Sequence, residues 1–204
     1  MKLKKDIKGE VMRDKICIII LGVIILGMGL YSAIGCNITK DLNTMEAEDF
    51  HTGMYVSGEI QGNLGEFCQE DQYRYFMKTN TTNYYLVSYG EGQKNWVALK
   101  TSKHEEELQQ LQGETVSYIS GEGEKPKSNL EIKGRVYKCD SDTLQYLSQF
   151  LHGEDISHVD YFILETGFLD NYGMLVLAGV YGIIAMFAWI QRKKKNPDDE
   201  YLEA

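Results

Sequence analysis

Four cysteines in 204 residues are too few for a disulfide scaffold. Nor is there a basic surplus in the middle of the chain, where residues 37–172 carry 11 Lys/Arg against 23 Asp/Glu. A nucleic-acid surface needs the opposite sign, because it must neutralise phosphates, and an acidic stretch also disfavours anionic lipid headgroups. Catalytic signatures are missing as well. There is no G-x-S-x-G, no P-loop, no H-E-x-x-H and no C-x-x-C. No residue is therefore assigned a catalytic, cofactor-binding or metal role, no cofactor is expected, and the chain is not read as an enzyme.

Charge is absent from two long runs, Ile16–Ile34 (ICIIILGVIILGMGLYSAI) and Tyr172–Ile190 (YGMLVLAGVYGIIAMFAWI). A hydrocarbon core roughly 30 Å thick needs about 20 helical residues at about 1.5 Å each, and both runs are of that order. Six Lys/Arg against three acids precede the first run, and Arg192-Lys193-Lys194-Lys195 follows the second. The positive-inside rule then puts both termini in the cytoplasm and residues 35–171 outside it. Tyr31, Tyr172 and Trp189 lie near the run ends, where amphipathic rings favour the interface.

A cleaved signal peptide is the alternative for the first run, but its apolar stretch exceeds the usual h-region of about 7–15 residues, and no A-x-A-like site follows. Ala33-Ile34-Gly35-Cys36 forms a poor lipoprotein box, so Cys36 is read as an ordinary interfacial cysteine. Gly29 with Ala33, and Ala178 with Gly182, are small-xxx-small pairs that allow close helix approach, either within the chain or between copies.

Between the runs the texture is that of short strands. Met54–Gln61, Tyr73–Lys78, Tyr84–Tyr89 and Trp96–Lys100 are rich in aromatic and β-branched residues, and Gly90-Glu91-Gly92 reads as a hairpin loop. Ser102 with Glu105 predicts a capping box, Leu108 and Leu111 follow at helical spacing, and Gly113 is placed to end that helix. Thr115–Ser120 and Leu130–Lys138 read as two more strands. Ser141 or Asp142 then caps a last helix with Leu144, Leu147, Phe150 and Leu151 on its apolar face, closed by Gly153.

Strands, a helix and two more strands is the order of an OB-like barrel, with an SH3-like barrel or a mixed sheet as alternatives. Gly58 and Gly134 inside strands predict bends or bulges. The expected fold class is an α+β membrane protein, with two transmembrane helices flanking a small, mainly-β, extracytoplasmic domain. Its parts are a basic tail (1–15), a first transmembrane helix (16–34), an acidic tether (35–52), the OB-like domain (53–151), a juxtamembrane linker (152–171), a second transmembrane helix (172–190) and a cytoplasmic tail (191–204).

The basic N-terminus, the V-x-G-x-I opening at Val56–Ile60, the L-x-x-L-x-G helix end at Leu108–Gly113 and the return span resemble an uncharacterised family of two-span bacterial membrane proteins, mostly from Gram-positive anaerobes. The resemblance spans the whole chain and implies a membrane location, with no assigned activity.

Other constellations have plainer readings. His152-Gly153-Glu154-Asp155-Ile156-Ser157-His158-Val159-Asp160 gathers two histidines and carboxylates suited to a transition metal, but six-residue His spacing fits no helical ligand pair, and a polar linker is preferred. Glu105–Glu107 reads as a solvated helix start, and the 14 tyrosines as barrel wall rather than a recognition surface. Cys68 and Cys139 are expected as buried free thiols, with a disulfide as the alternative. Asn37-Ile38-Thr39 and Asn80-Thr81-Thr82 match glycosylation sequons that matter only in a eukaryotic secretory pathway. The functional expectation is a binding or scaffolding module. Its partners are the lipid bilayer and another membrane or envelope component, or a second copy through the spans, with no nucleic acid. The alternative is a sensor or accessory subunit for a small ligand or ion.

Overall fold

A computed structural model describes residues 2–90, 95–152 and 159–195. The chain divides into two compact units, Met1–Asn37 with Gly167–Ala204, and Ile38–Thr166.

The first unit is a pair of helices, α1 (Lys2–Asn37) and α4 (Phe168–Lys195). Ile16–Asn37 and Phe168–Ala188 are long and apolar enough to cross a membrane. Their large aliphatic side chains are exposed, as befits helices without a soluble core. The pair packs through Gly22 and Gly29. A Cβ at Gly29 would come within 2.9 Å of the Leu175 backbone nitrogen, and one at Gly22 within 3.1 Å of the Tyr181 ring. Tyr181 Oη donates to the Ile18 carbonyl at 2.8 Å, and Asn37 Nδ2 to Tyr172 Oη at 3.1 Å. Gly182, half of the small pair expected on the second helix, has nothing within 4 Å of a Cβ, so it lies off this contact.

The second unit is α+β. Its strands are β1 (Lys40–Asp41), β2 (Tyr55–Arg74), β3 (Met77–Tyr89), β4 (Asn95–Thr101), β5 (Leu130–Lys138) and β6 (Tyr161–Glu165), with α2 (Glu105–Ile119) and α3 (Ser141–Phe150) between them. Among the described residues these form one six-stranded sheet. β2 pairs antiparallel with β3, β3 with β4, β5 with β6 and β5 with β2, whereas β4 runs parallel to β6. Those five pairings close into a ring, which leaves only short edges. β1 adds to β2 in parallel.

Alternation sets the inside. Tyr85, Val87 and Tyr89, Val97 and Leu99, Ile132 and Val136, and Ile163 share one core with Leu108 and Leu111 of α2. On the opposite face, Leu86 and Ala98 pack beneath Leu147 of α3, with Phe150 and Leu151 against them. Tyr84–Tyr89 is therefore covered on both faces, which is why it reads as a continuous apolar run.

Several expectations are corrected. Met54–Gln61 and Tyr73–Lys78 are not separate strands: Tyr55–Gln61 and Tyr73-Arg74 belong to one 20-residue strand, Tyr75-Phe76 is its turn and Met77-Lys78 opens β3, and β2 coils through register shifts between Ile60 and Cys68. Gly58 and Gly134 are not at those shifts. They allow close approach, since a Cβ would lie 2.8 Å from Leu42 Cβ at Gly58 and 2.5 Å from Ile163 Cγ2 at Gly134.

Thr115–Ser120 is not a strand but the second half of α2, which runs straight through Gly113. Leu108, Leu111 and Thr115 lie on one buried face, and the Thr115 hydroxyl donates to the Leu111 carbonyl at 2.7 Å, so core packing overrides the strand propensity of TVSYIS. The helix ends instead before Gly121, whose φ of 76° suits glycine. No capping box forms at Ser102 and Glu105, because the N-cap is His104 in a left-handed conformation without a side-chain cap. Asp140, rather than Ser141 or Asp142, caps α3 by accepting from the Thr143 amide at 2.8 Å. Gly153 lies outside the described residues. Leu147 is buried in the α3 contact, whereas Leu144 is exposed.

The stretch read as an acidic tether, 35–52, contributes Leu42, Met45 and Phe50 to the core. The stretch read as a linker, 152–171, contains β6, whose Ile163 is fully buried and which closes the ring.

Candidate docking hairpin and cleft

β2 and β3 continue past the ring as a two-stranded arm. Gln72 pairs with Asn80, Tyr73 with Lys78 and Arg74 with Met77, leaving Tyr75 and Phe76 as a two-residue turn. Both turn residues have positive φ, 50° and 65°. Such a turn favours Asn-Gly, and a bulky side chain there costs on the order of 1–3 kcal/mol. The aromatics are thus poorly suited to the turn that holds them. They are also not covered: Tyr75 is 87% exposed, Phe76 fully so, and Tyr73 and Met77 flank them in the open.

The arm is braced below its tip. Lys78 Nζ pairs with Asp71 Oδ1 at 2.7 Å, the Thr81 hydroxyl donates to the same oxygen at 2.9 Å, and the Thr79 hydroxyl donates to the Gln72 carbonyl at 3.1 Å. The Lys78 bond, then that of Thr81, holds the Asp71 carboxyl below its usual range.

At the root of the arm lies a cleft of about 240 Å³ lined by Gln69, Thr81, Asn83, Tyr85, Thr101, Ser102, Lys103 and Glu105. Asn83 Nδ2 donates to Tyr85 Oη at 3.3 Å, while Asn83 Oδ1 is buried without a partner. Burial raises the Tyr85 pKa, so the phenol stays neutral and keeps its proton. One wall is tied together by Glu165, which accepts from the Thr101 hydroxyl and from Lys103 Nζ at 3.4 Å and lies 3.3 Å from His104 Nε2. Nearby, burial and then the Glu105 charge raise the Glu66 pKa.

A second polar row is fully satisfied. Lys100 Nζ pairs with Glu70, lies 4.7 Å from the Tyr84 ring centre and 5.7 Å from that of Phe162, and Phe162 stacks on Tyr137. The Lys100 bond lowers the Glu70 pKa. Tyr55, Tyr84, Tyr85 and Tyr89 thus serve as wall and core, as the sequence suggests, whereas Tyr73 and Tyr75 near the tip of the arm, and Tyr31, Tyr118 and Tyr146 on the helices, are exposed.

Of the other sequence candidates, His152 and Asp160 are described, whereas 153–158 lie outside the described residues, and among those described no group of three His, Cys, Asp or Glu is arranged to hold a metal. All four thiols are free. Cys139 is buried and Cys68 half-buried, and burial pushes the thiol of Cys139 up to about 12 and raises that of Cys68. Sequence reading missed the turn at Tyr75-Phe76 because it carries no Gly, Asn or Asp. The available signal is Phe76, which breaks the alternation of Tyr73, Tyr75 and Met77.

A family model described as a domain of unknown function, DUF8577, matches residues 1–191. Neither a curated protein nor a solved structure matches the chain.

Proposed function

The chain belongs to that family, a domain of unknown function, and from this footing we propose that it is a membrane-anchored, non-enzymatic module whose β domain docks another membrane protein through the Tyr75–Phe76 tip. The observation that carries the reading is the tip itself: two adjacent aromatics, exposed and held in backbone conformations that suit them poorly. Turn strain of this kind persists where function retains it, and aromatic anchors are favoured at binding hot spots.

Two apolar helices and their basic flanks support a two-pass arrangement in the cell membrane, with both termini cytoplasmic and residues 35–171 outside. The ring order β2-β3-β4-β6-β5, the parallel β4–β6 pair and a helix between β4 and β5 support an OB-like barrel. The acidity of residues 37–172 favours a partner whose apolar groove has a basic rim over an anionic bilayer or nucleic acid. No cofactor or catalytic step enters this reading.

A photoreactive phenylalanine analogue at position 76 of the full chain, irradiated in native membranes, is expected to yield one protein adduct that is missing when the analogue replaces Tyr118. Adducts with lipid alone, or none, would overturn the proposal. The second reading, a ligand-sensing accessory subunit, is favoured by the cleft at the root of the arm.

A further inference from the structure

We propose that the cleft bounded by Gln69, Asn83, Tyr85 and Ser102 binds a neutral sugar unit. The inference builds on the second reading above and is independent of docking by the tip.

The walls offer hydrogen-bonding capacity that the protein leaves unused. The Tyr85 oxygen accepts from Asn83 but has no acceptor for its own proton. The Gln69 carboxamide and the Ser102 hydroxyl are exposed on the cleft walls, and Asn83 Oδ1 is buried without a partner. The Thr81 hydroxyl already donates to Asp71 and is left as an acceptor, whereas the Thr101 hydroxyl donates to Glu165, accepts from the Lys103 amide at 3.0 Å and serves only to hold the wall.

Donors and acceptors therefore alternate around the walls, which is what a sugar hydroxyl, itself both donor and acceptor, can satisfy. The lining carries one charge of each sign, Lys103 and Glu105 at the rim, and Glu165 behind the wall engages Lys103. An anion would meet these carboxylates, and a cation would meet Lys103. A cleft of about 240 Å³ falls below the roughly 300 Å³ lower bound for drug-sized ligands, so the ligand is of monosaccharide size or one residue of a longer glycan.

The test uses the full chain in nanodiscs and saturation-transfer NMR with N-acetylglucosamine and its tetramer as probes. Saturation of probe protons is expected at millimolar sugar. Tyr85→Phe, which keeps the ring in the core and removes only the hydroxyl, should weaken binding about tenfold, and Gln69→Ala and Ser102→Ala should weaken it further. Equal affinity for monomer and tetramer identifies a free sugar, and tighter tetramer binding identifies an envelope glycan. Saturation of neither probe overturns the proposal, as does binding unchanged by Tyr85→Phe. Phe76→Ser, which touches only the tip, should leave sugar binding intact even if docking is lost.

Discussion

Asn63 Nδ2 donates to the Leu108 carbonyl at 2.8 Å, so one buried carboxamide joins the coiled part of β2 to the first turn of α2. Its Oδ1 also accepts from the Gly65 amide at 2.9 Å, and its own amide donates to the Thr115 hydroxyl at 3.0 Å. Asn63→Ala strands the Gly65 donor in a site with no solvent access and should destabilise the domain by about 2–4 kcal/mol. A thermal melt of the full chain in detergent reads this as a drop of several degrees.

Two glycine substitutions should move stability in opposite directions. Gly134→Ala puts a methyl 2.6 Å from the Leu164 carbonyl oxygen, so β5 and β6 must separate, at a loss of about 2 kcal/mol or more. Gly113→Ala meets nothing within 4 Å inside a helix and should gain about 0.5–1 kcal/mol. Parallel melts of the two variants check the contrast.

Replacing Tyr75-Phe76 with Asn-Gly restores the residues that such a turn prefers. Melting temperature is expected to rise, by the equivalent of about 1–2 kcal/mol. Partner crosslinking from a probe at Met77 should fall to background in the same variant.

Glu114 ties the segment before β5 to α2, accepting from the Ser128 hydroxyl at 2.6 Å and the amides of Ser128 and Lys127 at 3.0 and 2.9 Å. These bonds, those of Ser128 first, lower its pKa from 4.5 to about 2. Between those values the unfolded chain binds more protons than the folded one, so the stabilisation is complete above the unfolded value and is lost as pH falls through the folded one. Melts between pH 5 and pH 2 should therefore show a shallower acid decline for Glu114→Gln than for the natural chain.

Orientation has its own check. Cysteine introduced at Glu122, an exposed position, should react with a membrane-impermeant maleimide on intact cells beyond the background of the natural cysteines. Labelling that appears only after lysis reverses the proposed topology.

The parts of the fold that were legible are those where one local signal dominates. Leu130–Lys138 alternates cleanly because only one of its faces is buried, and its boundaries match β5. Tryptophan and aliphatic residues in Trp96–Lys100 likewise mark β4. β2 was not legible as one strand, because Gly62, Gly65 and the polar residues beyond them resemble turns, while a strand that bends to meet both β5 and β3 needs such residues in its interior. β6 is five residues long and follows a polar stretch, so its role depends on partners far along the sequence. The cleft draws on β2, β3, β4 and the start of α2, and no spacing within any one segment reveals it. The tip is the reverse case. Its aromatic residues stand plainly in the sequence, but apolar character marks burial and display alike, and here it is display.

Ring closure also sets an order of events. The β2–β3 arm can form as soon as Tyr89 has been made, but the first half of β2 waits for β5, since Tyr55 pairs with Arg135 and Ile60 with Leu130. Until those residues arrive, the side of Tyr55–Ile60 that meets β5 is an open edge carrying Tyr55, Val56 and Ile60, available for mispairing with neighbouring nascent chains. Truncation before Leu130 should thus yield a species that aggregates rather than a smaller folded domain, and folding of the intact chain should be limited by this long-range step.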